Sequence, residues 1–317
     1  MVDMLDKQKE PTIAVLIPCY NEAATIRKVI LDFQHVLPSA KIYVFDNVST
    51  DNSAQIAKET GAIVKTVPYR GKGYVIRKMF REVQADYYIL VDGDDTYSAK
   101  DVYKFLHYLE KENVDMVVGV RLYEDQKEAF PRFHFFGNWF ITKMINKLFS
   151  TNFKDVLSGY RGFSNLFVES IQLTSKGFEI EVEMTAKAIE SGLTVQEVDI
   201  SYRSRPENSV SKLRTFKDGF FIVSTIFDLF KNYKPLLFFW TLSFILFLLG
   251  LLIGIPVIRE YLLMKYVYKV PSAILAASLE VLSFIMFACG IILDAFKDLR
   301  LRQQEYWLKY SSRKRFL

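Results

Sequence analysis

The chemistry of this 317-residue chain centres on the acidic cluster Asp92-Gly93-Asp94-Asp95. The preceding run, Asp86-Tyr87-Tyr88-Ile89-Leu90-Val91, reads as a buried strand that delivers the carboxylates at its end. In open α/β sheets ligands bind at the carboxyl ends of strands, so the cluster is well placed for chemistry. Two aspartates one residue apart can share a hard divalent cation, Mg²⁺ or Mn²⁺, that also holds a diphosphate. Asp92 and Asp94 are therefore the candidate metal ligands, with Asp95 as a solvated neighbour. A three-acid turn is otherwise a solvated loop or a helix cap. Arg70-Gly71-Lys72-Gly73 opens a helical pattern, and the amides of a helix start favour anions. Lys72 is thus expected near the diphosphate, although a glycine-rich turn forms without any ligand.

A second, basic set comprises Arg121, Arg132, Arg203, Arg205 and Lys212. Arginine presents a fork that engages phosphate oxygens at two points. Arg132 begins one aromatic helical segment and Lys212 precedes another, so each joins phosphate-binding chemistry to an apolar surface. Surface salt bridging is the alternative for the whole set, and His134 beside Arg132 is either a phosphate donor or structural. A phosphate monoester has its second pKa near ~6, so such an acceptor needs no general base. Asp155 is the candidate if a base or positioning carboxylate exists. Glu179, Glu181 and Glu183 start a helix, where acids suit the positive dipole end, and are read as structural.

The elements that position these groups alternate. Residues 13–17 form a strand ended by Pro18, and Asn21-Glu22 opens a helix carrying Ile26, Val29, Ile30 and Phe33 on one face. A strand at 42–45 ends at Asp46-Asn47, Ser49-Thr50-Asp51 caps the next helix, and Gly61 stops it. Further strands fall at 63–67 and 115–120, with helices from Gly73 to about Val83 and from 99 to 112. This order predicts an α/β, doubly wound, mainly parallel sheet with right-handed crossovers. Beyond Arg121 the pattern changes to two amphipathic aromatic helices, 132–149 and 213–233. They are read as lying in a membrane interface, with core packing as the alternative.

Half the residues are hydrophobic and 15% aromatic, which excludes disorder. Leu236 to Ile258 carries no charge and Pro271 to Leu293 carries only Glu280; each exceeds the ~20 residues that cross a bilayer. An intramembrane acid is costly, and Glu280 is read either as a protonated group bonded to a neighbouring helix or as a lipid contact. Arg259, Lys265 and Lys269 lie between the spans, whereas Lys297 to Arg315 and Arg214 to Lys234 flank them with more positive charge. The positive-inside rule then places the N-terminal domain and the tail in the cytoplasm. The membrane is the cytoplasmic or inner one, or the endoplasmic reticulum in a eukaryote. The net charge of +5 is modest, and basic residues beside a hydrophobic span meet anionic lipid headgroups rather than nucleic acid. Met1 to Pro11 is polar, without a signal-peptide h-region. Cys19 and Cys289 fall in different modules, which argues against a disulfide and for a reducing compartment. The expected layout is a polar tail (1–11), a catalytic domain (12–212), an amphipathic helix (213–235), a two-helix anchor (236–293) and a basic tail (294–317). Paired amphipathic helices and an intramembrane acid make a homo-oligomer plausible.

Ile17-Pro18-Cys19-Tyr20-Asn21-Glu22, Asp46-Asn47-Val48-Ser49-Thr50-Asp51 and the Asp92 cluster occur in an order and spacing that resemble glycosyltransferase family 2 enzymes of the GT-A fold. Asp155, Ser158-Gly159-Tyr160-Arg161 and the stretch Arg203 to Leu213 extend the resemblance toward dolichol-phosphate mannose synthases and bacterial polyprenyl-phosphate glycosyltransferases. The resemblance implies a nucleotide site lined by Pro18, Tyr20, Asn21, Glu22 and Asp46, with Asp46 on the base or ribose. It also implies a Mg²⁺ or Mn²⁺ site near Thr96. The family often has a second acid where Asn47 stands. The implied activity is inverting transfer of one hexose, glucose or mannose, from a UDP- or GDP-sugar to polyprenyl phosphate. A processive polysaccharide or glycolipid synthase is the rival enzyme, but Gln303-Gln304-Glu305-Tyr306-Trp307 does not supply its Gln-x-x-Arg-Trp motif. An inactive membrane adaptor that binds nucleotide-sugar is the non-enzymatic alternative.

Overall fold

The structure, a computed structural model, describes residues 10–123, 132–177, 179–204, 224 and 227–314. Two compact units emerge, one comprising Met1–Gly219 and Trp307–Leu317 and built around a sheet, the other formed by Phe220–Tyr306. The sheet comprises β1 (Ile13–Cys19), β2 (Lys41–Asp46), β3 (Ile63–Thr66), β4 (Tyr87–Leu90), β5 (Met116–Tyr123), β6 (Arg161–Ser164) and β7 (Val195–Tyr202). Its spatial order is β3-β2-β1-β4-β6-β5-β7. All neighbours run parallel except β6, which is antiparallel to both β4 and β5. The expected mainly parallel, doubly wound sheet is thus present, with one reversed strand inserted.

Both faces of the sheet are covered, which is why its central strands are continuous apolar runs rather than alternating ones. Val15, Ile17 and Ile89 pack on one side with Phe33, Phe105 and Ile200. Ala14, Leu16 and Leu90 pack on the other with Phe45, Met79 and Phe163. The helices that matter to the site are α1 (Ile26–Val36), α2 (Ser53–Glu59), α3 (Lys72–Glu82), α4 (Val102–Leu106), α5 (Arg132–Phe149), α6 (Asn165–Ser170) and α7 (Ile180–Glu190). Pairing of β4 with β1 ends at Leu16–Leu90, whereas β2 follows β1 to Cys19 and Asp46. The loops after β1, β2 and β4 therefore converge where the chain order reverses, the usual ligand position in such sheets.

Several details differ from the sequence reading. β1 runs through Pro18 instead of ending there, because β4 no longer pairs at that point and no donor is needed on that side. The helix expected from Asn21 begins at Ile26, since Asn21 adopts φ 54 and its side chain serves the neighbouring loop. The strands β6 and β7 were not anticipated.

Of the long helices α8 (Pro235–Met264) and α9 (Val270–Lys314), the stretches Pro235–Met264 and Val270–Gln303 are long and apolar enough to cross a membrane. Only 11% and 17% of their most apolar windows are buried, unlike the core helices of a soluble protein. Ser243 and Ser283 each donate a hydroxyl to the other's carbonyl at 2.9 Å, joining the two helices. Glu280 rests on Gly250, where an added Cβ would come within 2.5 Å of its Oε1. That oxygen is buried without a hydrogen-bond partner, so the expected bond to the neighbouring helix is not made by it. Residues 227–233 are helical, while most of the segment 213–233 lies outside the described residues.

Candidate active site

The β4 end carries the acids into a turn that the rest of the fold holds rigidly. Asp94 is buried, and its Oδ1 accepts from the Thr96 hydroxyl at 2.6 Å and from the Thr96 amide at 3.3 Å. Thr96 therefore orients Asp94 rather than standing as a separate feature. The Thr25 hydroxyl donates to the Gly93 carbonyl at 2.7 Å, tying the turn to the loop before α1. Asp95 is not simply solvated: with φ 60 it pairs with Lys28 at 2.7 Å.

Asp92, half-buried, meets Lys72 at 2.6 Å. The same ammonium reaches Glu181 Oε1 at 2.7 Å, so one cation bridges two carboxylates from different elements. Burial alone would lower the Lys72 pKa, but the charges and hydrogen bonds of Asp92 and Glu181 outweigh it and raise the pKa above its ordinary value. Burial raises that of Glu181. Lys72 thus lies beside the acid cluster. Glu181, read as a dipole-satisfying residue, is in fact part of this cluster.

The nucleotide-side candidates also assemble. Asn21 Oδ1 accepts from the Thr50 amide at 2.7 Å, and the Asn21 amide donates to Ser49 Oγ at 2.9 Å. This clamps the loop after β1 to the loop after β2. The Glu22 amide donates to Ser53 Oγ at 2.7 Å, and Asp51 accepts from Ala23 and Ser53. Arg70 stacks its guanidinium 5.1 Å from the Tyr20 ring centroid. Asp46 accepts from the Ser49 amide through Oδ2, while its Oδ1 is buried with no hydrogen-bond partner. Asn47 donates to the Tyr69 carbonyl at 2.7 Å and accepts from the Gly71 amide at 2.8 Å. An acid there would lose the donation, so Asn47 is explained by its hold on the 67–71 loop.

Among the candidate phosphate-binding residues, Arg121 forms a two-point pair with Asp155, at 2.6 and 2.9 Å. Asn138 of α5 adds a donation to Asp155 at 3.2 Å. The Arg121 guanidinium also sits 5.6 Å from the Tyr202 ring centroid, and Tyr202 packs edge-on against Tyr97. Arg203 is exposed, with its amide bonded to the Thr96 carbonyl at 2.9 Å, beside the Asp94 turn. Arg132 begins α5, but its side chain, Arg205, Lys212 and the side chain of His134 lie outside the described residues.

Arg161 links the two halves, and sequence reasoning gave it no role of its own. It is fully buried, donating to the carbonyls of Val156 (2.6 Å) and Ser158 (2.9 Å) and to Thr185 Oγ1 (2.9 Å). Burial lowers its pKa to about 10. It thereby shapes the loop from Asp155 to Gly159, whose Gly159 amide donates to Tyr97 at 3.1 Å. The signal was an arginine set between Tyr160 and Gly162 as the one charged residue from Val156 to Val168.

Asp92 and Asp94, with a neutral hydroxyl on the latter, fit Mg²⁺ or Mn²⁺. Such ions take one or two protein carboxylates and complete their shell with phosphate and water. Among the described residues no group of three or more His, Cys, Asp or Glu side chains is arranged to hold a metal by itself.

Residues 14–171 match the glycosyl transferase family 2 model. The chain is 32% identical to the glycosyltransferase AglJ of Haloferax volcanii over 295 residues, covering 92% of this chain and 96% of that protein. It is 26% identical to a dolichyl-phosphate hexose transferase of the same organism, over 65% of this chain and 89% of the relative. Among solved structures, glucosyl-3-phosphoglycerate synthase from Mycobacterium tuberculosis, in complex with Mn²⁺, UDP and glucosyl-3-phosphoglycerate, superposes with a TM-score of 0.58. The match has 20% identity and spans 71% of this chain and 80% of that one. At that identity the likeness speaks to the fold, which is GT-A.

Proposed function

The chain belongs to glycosyltransferase family 2, and on that premise we propose that it is a membrane-anchored, inverting hexosyltransferase. It moves one sugar, glucose or mannose, from a UDP- or GDP-sugar to polyprenyl phosphate. The observation that carries this reading is Lys72 Nζ at 2.6 Å from Asp92 beside the buried Asp94, an array whose charges match a metal-bound diphosphate. The similarity to a dolichyl-phosphate hexose transferase supports the acceptor class.

Asp92 and Asp94 hold Mg²⁺ or Mn²⁺, which when bound neutralises charge on the departing nucleoside diphosphate. Lys72 donates to the same diphosphate. Asp46, whose Oδ1 has no hydrogen-bond partner in the protein, accepts from the base or ribose, in the site walled by Pro18, Tyr20, Asn21 and Glu22. Arg121 engages the acceptor phosphate, with Arg132, Arg203, Arg205 and Lys212 completing the basic set. Asp155 fixes the Arg121 fork and is the positioning carboxylate. The acceptor phosphate, largely dianionic at neutral pH, attacks the anomeric carbon without a general base. The bond from that carbon to the donor phosphate breaks, and an α-linked donor gives a β-linked product. The helices α8 and α9 anchor the enzyme, with the catalytic unit and the basic tail on the cytoplasmic side.

The test is purified protein incubated with a panel of UDP- and GDP-sugars, polyprenyl phosphate and Mn²⁺, with lipid products read by mass. One hexose per lipid with a single preferred donor is expected. Longer glycans would point to a processive synthase, and nucleotide binding without turnover to an adaptor.

A further inference from the structure

We propose that Glu181 is a positioning residue that keeps Lys72 shared between two carboxylates, so that Asp92 stays available to the divalent cation. The inference rests on the reading of Asp92 as a metal ligand and goes beyond it by assigning a role to a residue outside the acid cluster.

Lys72 has little access to water, its side chain being 11% exposed, so its ammonium must be satisfied by protein groups. Its partners approach from different elements: Asp92 follows β4 at 2.6 Å and Glu181 lies in the first turn of α7 at 2.7 Å. With Asp92 as the sole anion, the pair would close on itself and compete with any cation for the same carboxylate. Glu181 draws the ammonium the other way.

The spacing of this bridge is fixed from both ends. Gly71 and Gly73 flank Lys72, and a Cβ on either would stand 2.2 Å from the carbonyl oxygen of Lys176 or Ser175. The start of α3 therefore packs directly on the 175–176 backbone. That backbone is in turn held by Glu183, which accepts from the Thr174 and Ser175 amides, and by Glu179, which accepts from the Lys176 and Gly177 amides. Glu179 and Glu183 are two residues either side of Glu181, so α7 locks the lysine's backbone and presents the carboxylate that receives its side chain.

Glu181 is a poor choice for stability. It is 3% exposed and its Oε2 is buried without a hydrogen-bond partner. A buried acceptor left unpaired disfavours the fold, and buried ion pairs are often replaced by neutral groups without loss. Its chemistry is explained by the bridge to Lys72.

The experiment titrates Mn²⁺ into the full-length protein by electron paramagnetic resonance. Wild type, Glu181→Gln, Lys72→Met and the double variant are compared, with thermal midpoints measured alongside. Glu181→Gln is expected to weaken Mn²⁺ binding by about tenfold and to lower the midpoint, since one partner of a buried ion pair is removed. Lys72→Met, which removes the competitor, is expected to bind Mn²⁺ at least as tightly as wild type while losing preference for nucleoside diphosphate over monophosphate. In the Lys72→Met background, Glu181→Gln should have no further effect, because Glu181 acts through Lys72. Additive losses in the double variant, or wild-type Mn²⁺ affinity in Glu181→Gln, overturn the proposal while leaving the metal site standing. A wild-type protein that binds no Mn²⁺ with nucleotide overturns both. Should Glu181→Gln fail to fold, the double variant, which removes both buried charges, still decides through its comparison with Lys72→Met.

Discussion

Gly159 lies against Asp92 so closely that a Cβ there would stand 2.2 Å from Asp92 Oδ2 and 3.1 Å from Lys72 Nζ. The loop after Asp155 thus forms one wall of the acid cluster, and its smallest residue sits where the carboxylate needs room. Gly159→Ala is expected to push Asp92 off its position and lower kcat by roughly 100-fold, since a displacement near 1 Å can have that effect. The thermal midpoint should change little by comparison. Wild-type turnover in this variant would mean that the position of Asp92 is not critical.

Asp155 and Arg121 form a buried, two-point pair, with side chains 6% and 12% exposed. Removing one charge from such a pair typically costs about 3–5 kcal/mol. Asp155→Asn should therefore lower the thermal midpoint and raise the KM for polyprenyl phosphate, while nucleotide affinity, measured by calorimetry, stays near wild type. An equal loss on the donor side would assign Asp155 to the sugar-nucleotide instead.

Asn47 holds the loop leading to Lys72 through the Tyr69 carbonyl and the Gly71 amide. Asn47→Asp removes the donations to the Val67 and Tyr69 carbonyls, a loss of about 0.5–1.5 kcal/mol for each bond. The expected kinetic signature is a raised KM for the donor with a smaller change in kcat. An unchanged donor KM would show that the loop keeps its place without this clamp.

Glu183 and Glu197 should respond to pH with opposite signs. Burial works to raise the Glu183 pKa, but Lys187 and the donors at Thr174 and Ser175 prevail and hold it below the ordinary 4.5. A carboxylate lowered on folding contributes stability above its unfolded value and loses it as pH falls through the folded one. Burial raises Glu197 above 4.5 despite donations from Asp155 and Lys154, so its contribution is present below 4.5 and lost as pH rises through the folded value. Midpoints of Glu183→Gln and Glu197→Gln followed from neutral to acid pH check this. The Glu183→Gln deficit should shrink on acidification, whereas the wild-type advantage over Glu197→Gln should grow.

The first five strands were legible because β1, β2, β4 and β5 are largely apolar runs punctuated by turn residues, the pattern of a sheet covered on both faces, and β3 is a short β-branched run between turn residues. β6 gave no such signal, since four residues containing a buried arginine and a glycine do not resemble a core strand. β7 did carry one: Val198, Ile200 and Tyr202 alternate with Asp199 and Ser201, a half-buried strand pattern that was not read. Asp92, Asp94 and Lys72 could be picked out because each sits in a local motif at an element boundary. Glu181 could not, because its meeting with Lys72 depends on α7 folding back over the start of α3, more than a hundred residues earlier. Its place in the first turn of a helix already offered a sufficient local explanation. Asn47 was visible only as a departure from the family, and its reason appeared once the 67–71 loop was seen hanging from it.

The central claim is that two acids at the end of β4 grip a divalent ion against the donor diphosphate. Its most direct measurement is Mn²⁺ binding by purified wild type and Asp94→Asn in the presence of UDP or GDP, with sugar transfer assayed on the same samples. Tight, nucleotide-dependent Mn²⁺ binding in the wild type, lost together with transfer in Asp94→Asn, is the predicted result. Full transfer by Asp94→Asn, or transfer by the wild type that survives complete removal of divalent ions, would contradict the account.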